Sequence, residues 1–166
     1  MGTVVGLFKG HADADRAVSS LSASNFDHAN LGIVAQESAI PRSDGNDGLV
    51  SPETADGAGH GAVVGGIAGL LVGVAAMAIP GIGPLFVAGA VSSVLASTVA
   101  GATAGAMTGG VLGLLTELSI PEEDARFFAD GVKSGGVLVT VHTERDDEAA
   151  DILRAANAVS VKNSRP

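Results

Sequence analysis

Between Asp56 and Glu117 the chain carries no Asp, Glu, Lys or Arg, and along this stretch glycine returns at every fourth position: Gly57, Gly61, Gly65, Gly69 and Gly73. After Ala78-Ile79-Pro80-Gly81-Ile82-Gly83-Pro84 the interval resumes as Gly89, Ser93, Ser97, Gly101, Gly105, Gly109 and Gly113. A helix places every fourth residue on one face, and small residues there let two backbones approach closely. Each helix-interior glycine costs about 1 kcal/mol relative to alanine, so such a register is self-defeating in an isolated helix and calls for close packing in return. Two such runs around one Pro-Gly turn predict an antiparallel helical hairpin over 60–118. Its packing positions are Gly61, Gly65, Gly69, Gly73, Gly101, Gly105, Gly109 and Gly113, and its turn is Pro80, Gly81, Gly83 and Pro84.

What surrounds such a hairpin is open from sequence. Gly61 to Ile79 makes about 29 Å of helix, close to a hydrocarbon core of ~30 Å, whereas Leu85 to Thr116 reaches about 48 Å and has to break or protrude. The flanking charges are acidic, with Asp56 on one side and Glu117, Glu122, Glu123 and Asp124 on the other. Neither a Lys/Arg bias nor a Trp/Tyr belt is present to place the hairpin in a bilayer. The same absences suit a homo-oligomer in which hairpins of several copies bury one another. A lone monomer would expose too large an apolar patch. The expected partners are therefore other copies of the chain or a lipid bilayer.

The two ends of the chain read differently. Thr3 to Phe8 is an apolar, β-branched strand. Ala14, Val18 and Leu21 follow at helical spacing, with Asp13 and Asp15 in the first turn and Ser24-Asn25 as a stop, and Leu31 to Ala35 is a second strand. Residues 37–59, with Pro41, Pro52 and Ser43-Asp44-Gly45-Asn46-Asp47-Gly48, form a polar linker. Past the hairpin, Pro121-Glu122-Glu123-Asp124 opens a helix through Phe127 and Phe128 to Gly135-Gly136. Val137 to Val141 is a strand, Asp146-Asp147 open a helix with Ala149, Ile152, Leu153 and Ala156, and 158–161 is a last short strand. The order β-α-β, insertion, α-β-α-β matches a ferredoxin-like split βαβ sandwich once one helix is discounted. Residues 1–36 and 119–162 are therefore expected to make one composite α+β domain, because either end alone would be marginal.

A formal charge of −9 excludes a nucleic-acid role, since phosphate binding needs a basic face. There is no cysteine for disulfide, thiolate or metal chemistry. The start shows no export signal, so the expected location is the cytoplasm or the cytoplasmic membrane. His11, His28, His60 and His142 do not pair at metal-ligand spacing. Glu122, Glu123 and Asp124 are accounted for by the helix dipole, and Gly6-Leu7-Phe8-Lys9-Gly10-His11 lacks either phosphate-loop spacing. No catalytic residue, cofactor or metal is expected, and the chain is read as non-enzymatic. A small-molecule sensor using the α/β domain is an alternative by fold analogy alone.

The turn Ala78 to Pro84, together with Ile120-Pro121-Glu122-Glu123-Asp124-Ala125-Arg126-Phe127-Phe128 and Gly131 to Val141, resembles the bacterial general stress protein family with a YflT-type heat-induced stress domain and a glycine-zipper insertion. The resemblance covers nearly the whole length. It implies association with stress responses and with membranes, and it implies no reaction. Phe127-Phe128 stands where the resemblance leads one to expect tyrosines.

Overall fold

The computed structural model describes residues 2–36, 75–79, 83–89 and 110–164. Strand β1 (Gly2–Phe8) is buried at every position, which places it inside a sheet covered on both faces. Helix α1 (His11–Ala23) buries Ala14, Ala17, Val18 and Leu21, the i, i+3, i+4, i+7 stripe of an amphipathic helix. A short 3-10 turn (His28–Asn30), capped by the Asp27 carboxylate accepting from the Ala29 amide at 2.9 Å, leads into β2 (Leu31–Gln36). Two strands, β3 (Ala75–Ile79) and β4 (Gly83–Gly89), come next. Then follow α2 (Gly110–Glu117), α3 (Glu122–Lys133), β5 (Val137–Thr143), α4 (Asp146–Ala155) and β6 (Ser160–Ser164).

The six strands form one sheet in the order β3-β4-β2-β5-β1-β6. All neighbours are antiparallel: Val5 faces Thr140 on one side and Lys162 on the other, Ile33 faces Val139, Val34 faces Val87, and Ala76 faces Phe86. The four strands β2-β5-β1-β6 come from the two ends of the chain, and β3-β4 extends the sheet beyond β2. The molecule is thus α+β, as its sequence pattern indicates.

Alternation along the strands splits the apolar residues between two cores. Val4 and Phe8 of β1, Leu31, Ile33 and Ala35 of β2, and Val137, Val139 and Val141 of β5 pack with α1 and α4. Val5, Leu7, Val34, Val87 and Leu138 point the other way and pack with α2 and α3 through Leu114, Leu115, Ala125, Phe128 and Val132. Both helical layers are anchored by side chains one residue apart on the same strands, so neither can slip register without exposing the other's core.

One expectation is corrected. A helical hairpin over 60–118 requires helix at 75–79 and 85–89, and these residues are strands instead. Of the expected turn, Gly83 and Pro84 lie in β4 opposite Ile79 and Ala78, whereas Pro80 and Gly81 lie outside the described residues. The physical reason is local. Pro80 and Pro84 push the residues before them, Ile79 and Gly83, toward extended backbone, and the β2 edge supplies the hydrogen bonds a strand needs. The four-residue register also lapses here, with Met77 and Leu85 at the positions where glycine is due. The second arm is divided accordingly: it begins in β4 and ends in the helix α2.

Among the described residues, each of the four α-helices stops on a left-handed residue. Asn25 (φ 60°), Ser119 (φ 61°), Gly135 (φ 92°) and Asn157 (φ 66°) follow α1 to α4. In each case the next amide reaches back five residues, as Phe26 to the Leu21 carbonyl at 3.0 Å and Ile120 to that of Leu115 at 3.0 Å. Serine is the least suited of these to that conformation. Ser119→Gly is expected to raise stability by ~0.5–1 kcal/mol, read as a higher urea midpoint at unchanged slope.

Candidate functional site

The residues that sequence singles out for assembly fall mostly outside the described chain. Gly61, Gly65, Gly69, Gly73, Gly101, Gly105 and Gly109 are not among the described residues, and Gly113 lies in the middle of α2. A Cβ built on Gly113 meets nothing within 4 Å, so this glycine does not serve a close approach inside the described part of the chain. Gly89, which continues the four-residue series, has a different role: it ends β4 at φ 77°, and a Cβ there would sit 2.0 Å from the Leu31 carbonyl oxygen. Its lack of a side chain serves the junction of β4 with β2.

What the described residues do show is how the apolar insertion is fastened. Its central part joins the sheet through β4 on β2, Val87 faces the core under α2 and α3, and α2 returns the chain with Val111, Leu114, Leu115 and Leu118 buried. The stretches 37–74, between β2 and β3, and 90–109, between β4 and α2, lie outside the described residues. Among the described residues no helix is long and apolar enough to cross a membrane.

Polar groups gather at one corner of the sheet, on the face that carries α2 and α3. Thr3 on β1 stands opposite His142 on β5 and Ser164 on β6. The Thr3 hydroxyl lies 2.8 Å from His142 Nδ1, and the Thr3 amide donates to Ser164 Oγ at 2.9 Å. Thr140, two residues before His142 on the same strand, is fully buried with no hydrogen-bond partner for its hydroxyl. The corner clasps the first residues of β1 to both neighbouring strands.

Burial holds the His142 pKa below its ordinary 6.5 by desolvating the charged ring. The native state consequently binds fewer protons than the unfolded chain as pH falls. The stability this represents is complete above pH 6.5 and is lost as pH drops through the lowered native value. Wild-type protein is expected to lose urea midpoint between pH 7 and 5 more steeply than His142→Gln; identical slopes would remove His142 from the acid response.

The remaining candidates resolve into structural roles. His28 Nε2 is 3.0 Å from the Ser22 hydroxyl, and His11 opens α1 at the surface. Glu122, Glu123 and Asp124 sit in the first turn of α3, where Asp124 pairs with Lys162 of β6 at 3.0 Å. Among the described residues no three His, Asp or Glu side chains come together to hold a metal ion. Sequence reading missed two features. Arg145, just before α4, stacks on Phe26 at 4.0 Å and donates to the Ser24 and Asn25 carbonyls at 3.1 and 3.4 Å, closing the end of α1 onto the start of α4. Phe127 is half exposed beside the fully buried Phe128. A hydrophobic residue in the solvent stripe of an amphipathic helix is the one signal that could have marked it.

Compared with family models, curated proteins and solved structures, the chain matches none.

Proposed function

We propose that the chain is a non-enzymatic, stress-associated assembly protein: an acidic α/β domain of ferredoxin-like topology that holds two small-residue segments for close packing against other copies of itself. The observation that carries this reading is the four-residue spacing of glycine and serine through 57–73 and 93–113 without an intervening charged residue. Such spacing is useful where backbones must meet, and it has no other use that offsets the loss of helix propensity. The strand order β2-β5-β1-β6 with α1 and α4 on one face supports the topological part of this reading, with β3-β4 and the α2-α3 layer as additions to it. The stress role rests on the two resembling blocks, 78–84 and 120–141.

Two features favour self-association over insertion in lipid. The stretch 90–109 begins at β4 and ends at α2, both packed on the same sheet. Crossing a ~30 Å core once takes about twenty residues, so a crossing there would leave no chain for the return. No described residue lies within 4 Å of a Cβ at Gly113, so nothing in the described part of the chain occupies this register position.

The test is size. Gly69→Leu and Gly105→Leu, each in the full chain, are expected to shift gel filtration with light scattering from a defined multimer to smaller or heterogeneous species. The circular dichroism of the α/β domain is expected to stay unchanged. Multimers of native size in both variants would overturn the reading, and a wild-type protein recovered only with detergent from the membrane fraction would replace it with the lipid one.

A further inference from the structure

We draw no further inference here: the strongest candidate, the outer edge of β6 next to the exposed Val159, carries nothing because nothing among the described residues shows what covers it.

Discussion

Gly89→Ala is expected to cost ~3 kcal/mol or more and to loosen the β3-β4 pair from the sheet while the strands β2, β5, β1 and β6 hold. The backbone at Gly89 is left-handed, with φ 77°, where an L side chain is disfavoured by ~1–2 kcal/mol. The contact adds to this, because the new methyl would meet the Leu31 carbonyl oxygen at 2.0 Å and the Gly32 Cα at 3.2 Å. Both are backbone atoms of a strand already paired with β5, so neither can turn aside as a flexible side chain would. The strain is relieved only by moving the end of β4, which breaks its pairing with Gly32. Urea unfolding gives the cost, and amide exchange locates it: protection should fall in β3 and β4 and persist in β5 and β1. Gly113→Ala is the control. That glycine lies inside α2 with no described residue within 4 Å of an added Cβ, so the substitution should gain up to ~1 kcal/mol in helix propensity. A Gly89→Ala protein with wild-type midpoint and wild-type exchange would mean that β4 does not end on β2 in this way.

How much of this was readable beforehand differs between the chain's ends and its middle. The strand Val137–Thr143 and the stripe Ala14, Ala17, Val18, Leu21 follow local periodicities, and local patterning was enough to find them. The sequence pattern predicts the last strand at 158–161, and it stands at Ser160–Ser164. Here Asn157 ends α4 in a left-handed conformation and the Ala158 amide is used in the backward bond to Leu153, so contact with β1 begins only at the Val159 amide, which donates to the Leu7 carbonyl at 2.7 Å. The middle misled for a definite reason. A four-residue glycine register is a helical signal, and it was carried across Met77 and Leu85, where it does not in fact continue. Met77 and Ile79 before Pro80, and Leu85, Phe86 and Val87 after Pro84, suit strands as soon as an edge is available, and the availability of the β2 edge is a tertiary fact that no local window contains.

The polar corner was hidden for the same reason. His142 was visible as a residue next to a strand, but its partner Thr3 lies 139 positions away. Their contact exists because β1 and β5 pair in one register, and a slip of one residue would turn the two side chains to opposite faces. Arg145 over Phe26 likewise depends on how α1 and α4 lie across the sheet. Sequence supplied the amphipathic pieces, and the choice of neighbours turned them into a clasp and a clamp.

Phe128→Ala asks whether the α2-α3 layer is part of the same cooperative unit, and it is expected to destabilise the protein by ~3–5 kcal/mol. Phe128 is fully buried among Val5, Leu7, Leu138, Leu114 and Val132, and its ring meets that of Phe127 edge-on at 5.9 Å between centroids. Removing it leaves a cavity between helix and sheet that Leu7 cannot fill, because Leu7 is already held against Gly131, where even a Cβ would come within 2.3 Å of its methyl. Against a total stability of about 5–15 kcal/mol, such a loss is severe. Phe127→Ala removes the same ring one residue earlier, half exposed at 51%, and should cost no more than ~1 kcal/mol. The contrast between the two neighbours is the decisive quantity, since a helix rolled by one position would reverse it. Because β1 and β5 supply side chains to both cores, the loss at Phe128 should also weaken amide protection in β5, beneath α1 and α4. If protection there stayed at wild-type level while α3 melted, the two helical layers would unfold independently and the insertion would be an appendage of the sheet. A single cooperative transition, lowered as a whole, makes the fastening of the insertion and the stability of the domain one property.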